Sequence, residues 1–205
     1  SEGPHLASYS FDIGNTNLKA ERAWTSEINY EFMSPRVRIF TSLFRNHFDT
    51  YNFFMNTNQA SNRYPDLYYY QVQGVEAKMM GFEGELYISI TNKHSIKSSL
   101  SFLKASFREN KSADYEPIPF TPPLKTSTEY TYNFTNGSTG LIHTFSDTQD
   151  RVGEFETITD SYNKLDFYLQ YNLFNKKDIL KASTLSTLSI NVQNIFDTEY
   201  YNHLS

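Results

Sequence analysis

The chain has 205 residues, a formal net charge of −5 and no cysteine. A thiolate metal site, a disulfide framework and a cysteine nucleophile are therefore excluded, and without a long basic run there is no footprint for nucleic acid. No window reaches the ~18 consecutive apolar residues of a transmembrane helix, but a β-barrel remains open because half of each of its strands is polar.

Ser1–Asn17 is polar and irregular, with Gly3, Pro4, Gly14 and Asn15 as turn formers, and reads as a loop. SEGPHLAS does not have the charged and apolar regions of a signal peptide. Glu21–Phe32 alternates, with Trp24, Ile28, Tyr30 and Phe32 opposite Glu27, Asn29 and Glu31. A short turn at Met33–Pro35 leads to a strand over Arg36–Phe48, whose mixed parity predicts a bulge. Asn52–Asp66 reads as a long polar loop.

The clearest stretch is Ala77–Ile90, within a long strand expected over Leu67–Ile90 and bent or bulged near Gly74. Phe82, Gly84, Leu86, Ile88 and Ile90 share one face, and Glu83, Glu85, Tyr87 and Ser89 share the other. Period two with one apolar face means a strand, and a wall with lipid on one side and water on the other asks for this pattern. After a turn at Thr91–Ser95, a strand is expected over Ile96–Arg108, then a loop over Glu109–Pro123 carrying Pro117, Pro119, Pro122 and Pro123. Leu124–Phe134 is a strand, Asn136-Gly137 signals a hairpin turn, and Leu141–Ser146 begins the return. An acid-rich loop, Asp147–Tyr162, precedes strands at Lys164–Phe174 and Leu185–Ile195, which are joined by the connector Asn175–Thr184.

Eight strands result, and their connections alternate in length. Short turns fall at 33–35, 91–95, 135–140 and 175–184; long loops fall at 1–17, 52–66, 109–123 and 147–162. Outer-membrane barrels sort their connections this way. The aromatic content, 16 Tyr, 17 Phe and 1 Trp, suits girdles at two membrane interfaces, with Tyr68, Tyr69 and Tyr70 as girdle candidates. The expected fold is an all-β, antiparallel, up-and-down transmembrane barrel segment; the alternative is a soluble β-sandwich binding carbohydrate on exposed Tyr and Trp24. No G-x-S-x-G, H-E-x-x-H or Gly-rich phosphate loop occurs, so neither an enzyme nor a cofactor is expected.

Four segments resemble one family. Asn17-Leu18-Lys19-Ala20-Glu21 before AWTSEINYEF is similar to the N-L-K-P-E segment of TonB-dependent outer-membrane receptors. Ala77 through Glu85 resembles their A-x-x-x-G-x-E-x-E strand, Ile118-Pro119 to Pro122-Pro123 their P-x-I-P-P loop, and Leu188–Tyr201 their L-x-V-x-N-L-F-D-x-x-Y segment. The motifs come in family order across nearly the whole chain. GPHLA followed by F-x-I-G-N-x-N-L-K resembles the branch that includes zinc-uptake receptors. The resemblance implies import of a scarce nutrient, a metal ion, iron chelate or siderophore, across the bacterial outer membrane. It implies TonB as the energising partner, through a region outside this chain, with outer-membrane lipid and lipopolysaccharide around the wall. The family's plug and energy-coupling box find no match here, so residues 1–205 are expected to be a C-terminal portion of the barrel, with the first strands and the final strand absent.

If the long loops converge on one rim, they bring together His5, Asp12, Tyr115, Glu154, Glu156, Asp160, Glu199 and His203 as candidate substrate contacts. His5 and His203 are the candidate metal ligands, because imidazole suits zinc, copper, iron and nickel. The carboxylates would attract a cation, whereas a large siderophore would ask for arginines, and the long loops hold only Arg63 and Arg151.

Overall fold

The computed structural model describes residues 3–5, 10–154, 156–177 and 183–204. These form eleven strands: β1 (Gly3–His5), β2 (Ser10–Ile13), β3 (Arg22–Met33), β4 (Val37–Ala60), β5 (Tyr68–Ser89), β6 (His94–Arg108), β7 (Glu116–Pro117), β8 (Lys125–Phe134), β9 (Gly137–Ser146), β10 (Tyr162–Lys177) and β11 (Ser183–Val192). The eight long ones pair antiparallel in chain order, from β3 against β4 to β10 against β11. The result is one meandering sheet, with β3 and β11 at its edges among the described residues.

Register carries the two-faced pattern across the sheet. Ile28, Leu43, Phe82 and Phe102 stand in one row. Phe32, Ile39 and Leu86 stand in another on the same face, and Tyr130, Leu141, Phe167 and Val192 continue that face to the far edge. Many of these large apolar side chains are exposed, among them Ile28, Leu43, Leu141 and Val192. The opposite face is polar: Asn29, Ser42, Glu83, Ser101, Lys125 and Ser146 form one row, and Glu31, Phe40, Glu85, Ser99, Ser127 and Thr144 the next. Glu27 accepts there from Asn29 (3.0 Å) and Ser42 (3.2 Å).

The small core lies beyond this belt. Val75, Ala77, Ala105, Phe107 and Ile118 are buried together, with Phe48, Tyr51, Phe53 and Met55 packed against them. Strands β4, β5 and β6 run past the ends of the short hairpin β8–β9. The proline-rich segment after β6 folds back on the exposed upper edge of β6, pairing β7 with it and setting Ile118 into the cluster.

Several expectations change. The stretch 52–60 is not loop but the upper part of β4, paired with β5 as Phe53↔Gln73 and Met55↔Gln71. Its asparagines hide an alternation in which Phe53 and Met55 reach the core. The segment 1–17 is not wholly loop, because β1 and β2 form a hairpin whose second strand pairs parallel with β5. That pairing engages the Tyr68–Tyr70 backbone and takes two of the three side chains away from the expected girdle: Tyr69 meets Phe11 edge-on at 5.6 Å and Tyr70 is buried, while Tyr68 is exposed. No bulge interrupts Val37–Phe48; the register slips just beyond it, between Phe48 and Tyr51, opposite Val75–Ala77 and close to the expected bend at Gly74. Parity was mixed because Phe40 and Phe44 stand on the polar face, Phe44 over Gly81, where a Cβ would collide with its ring. Asn136-Gly137 is not the centre of the hairpin. Phe134 pairs with Gly137, which leaves Thr135 and Asn136 as the turn. Gly137 is required for space, since a Cβ there would strike the Gln170 carbonyl oxygen of β10. The connector 175–184 is strand at both ends, and its middle lies outside the described residues.

The sorting of connections persists. Turns at 34–36, 90–93 and 135–136 lie at one end of the sheet. The segments 14–21, 61–67, 109–124 and 147–161 lie at the other.

Candidate functional site: two cavities among the long loops

Among the described residues, the long segments line two open cavities. The larger, about 1020 Å³, lies between the β1–β2 hairpin, the upper part of β4 and the loops after β6 and β9. Its titratable lining includes His5, Asp12, Glu109, Glu116 and Glu154, and among the described residues no lysine or arginine contributes. His5 Nε2 is 3.1 Å from Asp12 Oδ2, a contact set up by the hairpin register. Asp12 also accepts from Ser10 Oγ at 3.2 Å. Glu154 accepts from Asn56 Nδ2 at 2.7 Å. Burial, then the neighbouring Glu154, pushes the Tyr70 hydroxyl up, so it stays protonated beside the carboxylate. Phe53, Phe54, Met55 and Phe107 supply apolar wall.

The second cavity, about 760 Å³, is lined by Glu156, Asp160, Glu199 and His203 among others. A buried histidine–carboxylate contact closes one side: His203 and Glu156 side chains are 3% and 5% exposed, with Nε2 3.2 Å from Oε1. The other ring nitrogen of His203 meets Thr159 Oγ1 at 3.1 Å. Glu156 further accepts the Phe120 and Gly153 N–H groups, both at 2.6 Å. The chain reaches this point through the turn at Asn194–Thr198. Asn194 and Asp197 hold φ of 52° and 50°, and the Asn194 side chain bonds the Thr198 backbone in both directions, at 3.0 Å each. Asparagine and aspartate tolerate this left-handed region better than most residues.

The expected site residues thus divide. His5, Asp12 and Glu154 line the larger cavity; Glu156, Asp160, Glu199 and His203 line the smaller. Tyr115 lines neither. It donates its hydroxyl to Glu76 and sits under Lys78 Nζ (3.9 Å to the ring centre) and Arg108 Cζ (4.8 Å). That hydroxyl, followed by Arg108 at 2.7 Å, holds the Glu76 carboxyl below the usual carboxylate range. His5 and His203 lie in different cavities. Among the described residues no group of three or more His, Asp or Glu side chains is close enough to hold a metal. Sequence reasoning missed Asn56, Tyr70, Glu109, Glu116 and Phe120. The last lines both cavities and is 69% exposed with φ 59°, an uncommon backbone for a bulky residue; its place in the proline-rich stretch was the available signal.

Solved structures share this fold. A copper transporter, OprC, superposes with a TM-score of 0.74 at 18% identity, covering 93% of this chain and 29% of its own. The siderophore receptor PirA from Pseudomonas aeruginosa gives 0.65 at 18%, covering 97% and 32%. The ferric citrate transporter FecA in its unliganded form gives 0.66 at 18%, covering 88% and 27%. The chain therefore spans about a quarter to a third of the proteins it resembles. No curated protein sequence matches it. The family model described as TonB dependent receptor-like, beta-barrel matches residues 2–195. That match, on a meander with one apolar face and sorted connections, replaces the soluble sandwich: the chain belongs to the β-barrel family of TonB-dependent receptors of the bacterial outer membrane.

Proposed function

We propose that these residues form wall and extracellular mouth of a receptor that imports a cationic or metal-bearing nutrient, energised by TonB through a region outside this chain. The apolar face is then turned to lipid and the polar face to the barrel interior. The observation that carries the substrate class is the larger cavity, where four carboxylates and one imidazole face the same space with no lysine or arginine among the described residues. Carboxylates raise the local concentration of cations and oppose an anionic chelate. The exposed imidazole of His5 favours zinc or a similar borderline metal over calcium. Two receptors of like fold, the copper transporter OprC and the ferric citrate transporter FecA, carry metal-bearing cargo. In the second cavity, Asp160 and Glu199 are proposed as outer contacts. His203, engaged at both nitrogens, is proposed to reach a metal only by releasing Glu156.

The test is calorimetric titration of the full-length receptor with Zn²⁺, Cu²⁺ and a ferric catecholate. Asp12→Asn with Glu154→Gln, His5→Ala and His203→Ala are compared as separate variants. Removing both carboxylates should weaken metal binding about tenfold or more, since two charge-assisted contacts disappear. A receptor that takes the ferric catecholate well, ignores both metals and is unmoved by these changes would refute the reading.

A further inference from the structure

We propose that the larger cavity is built for a bulky cation that carries its own apolar, ring-bearing organic surface, and that Phe120 is the residue that selects it. This rests on the reading above that the cargo is cationic. Three features of the cavity exceed what a bare ion uses. Its volume, about 1020 Å³, suits a whole organic ligand. Its wall is aromatic and continuous: Tyr51 stacks on Phe53 with ring centres 6.2 Å apart, and Phe53 lies 4.7 Å from Phe107. Its acids are spread along that wall, and among the described residues no three His, Asp or Glu side chains are close enough to share an ion. Glu109 and Glu116 have no ion pair among the described residues. Dispersed negative charge beside aromatic rings suits a cation sheltered by an organic skeleton, because the face of a ring itself attracts positive charge.

Phe120 is displayed at a conformational cost. It is 69% exposed, and its φ of 59° is unfavourable for a bulky residue unless the surroundings impose it. Here they do. The Phe120 N–H donates to Glu156 Oε1, Thr121 Oγ1 to the Ile118 carbonyl and Gln149 Nε2 to the Thr121 carbonyl, each at 2.6 Å. Ile118 and Thr121 are buried, so the exposed residue between them is held by anchored neighbours on both sides. A glycine would take this backbone without strain and present no ring. Phe120 lines both cavities, in company with Glu116 and Glu154 in the larger and with Glu156 and Asp160 in the smaller. A small hydrated ion gains only from the carboxylates. A ring-bearing cation gains from the carboxylates and from Phe120, and an anion of the same shape is repelled by the acids.

The experiment is calorimetry on the full-length receptor in phosphatidylcholine nanodiscs, with empty discs as the blank. Two pairs of probes hold charge fixed and vary the organic surface: tris(bipyridine)cobalt(III) against hexaamminecobalt(III), and benzyltrimethylammonium against tetramethylammonium. Both cobalt complexes keep their ligands, so neither can bind through His5 as a bare metal would. In at least one pair the ring-bearing cation should bind about fivefold or more tightly, the gain expected of one partly desolvated cation–ring contact. Phe120→Leu keeps apolar bulk and removes the π face; it should abolish that preference and leave Zn²⁺ affinity unchanged, whereas Phe120→Trp should keep the preference. A preference in the cobalt pair alone assigns the cargo to a ligated metal, and in the ammonium pair alone to an organic ammonium; either supports the proposal. Equal affinities within both pairs, or a preference that Phe120→Leu does not move, would overturn it. Asp12→Asn with Glu154→Gln separates the two readings. If these changes weaken hexaamminecobalt(III) and Zn²⁺ while Phe120→Leu alters nothing, the cationic mouth stands and selection by Phe120 falls. Tighter binding of benzenesulfonate than of every cation removes both.

Discussion

At the scale of single residues, β5 concentrates the logic of the whole sheet. Leu86 lies on the apolar face between Ile39 and Ser98, whereas Glu85 lies on the polar face between Phe40 and Ser99. Both positions tolerate strand geometry equally, so what differs is the solvent each meets. Leu86→Lys puts an ammonium against hydrocarbon inside the belt and should cost about 2–4 kcal/mol. Glu85→Lys only exchanges one solvated charge for another. Urea unfolding of the full-length receptor in lipid vesicles measures both; equal losses would mean that the facing is wrong.

Among elements, the segment that follows β11 has the least obvious anchorage. It leaves the sheet at the Asn194 turn, packs Tyr200 against Tyr162 with ring centres 4.6 Å apart and brings the His203 side chain, buried, against Glu156. Glu156 is in turn the acceptor for two backbone N–H groups of other loop positions, so one carboxylate ties three loop segments. His203→Ala leaves that buried carboxylate short of one partner, at roughly 1–3 kcal/mol, or about 5–150-fold in local opening. Hydrogen exchange at the amides of 195–203 should accelerate accordingly while β5 and β6 stay protected. Unchanged exchange would show that the segment is held by the tyrosine pair and the Asn194 turn without help from His203. The contrast with β5 explains what the sequence revealed. Alternation is legible when each face has its own solvent, as at Phe82–Ile90, Glu21–Phe32 and Lys164–Phe174. It fails at 52–60, where β4 rises above the belt and asparagines pair with a neighbour no local pattern announces. It fails again at Tyr68–Tyr70, whose partner β2 lies far away in the chain. The acidic loop was legible as acidic, but nothing local distinguished Glu154, which lines the larger cavity and bonds Asn56, from Glu156, whose buried carboxylate stands in the wall of the smaller one.

At the scale of the molecule, the decisive feature is what the sheet leaves uncovered. β3 pairs only with β4 and β11 only with β10 among the described residues, so two long strand edges present unpaired N–H and C=O groups. The buried core is a handful of residues, Val75, Ala77, Ala105, Phe107 and Ile118, while Trp24, Ile28, Met33, Phe32 and Leu43 stand exposed along one edge. Each unpaired backbone group in hydrocarbon costs several kcal/mol, and in water an open apolar edge recruits another copy. Neither solvent suits these 205 residues alone; a closed wall, with lipid outside and water inside, suits them on both faces. Expressed by themselves, they should aggregate or require detergent, and in detergent they should migrate as mixed oligomers. Sedimentation velocity in plain buffer is the measurement. A monodisperse monomer that unfolds cooperatively would mean that the edges close on each other, and the sheet would have to be redrawn as a small barrel complete in itself.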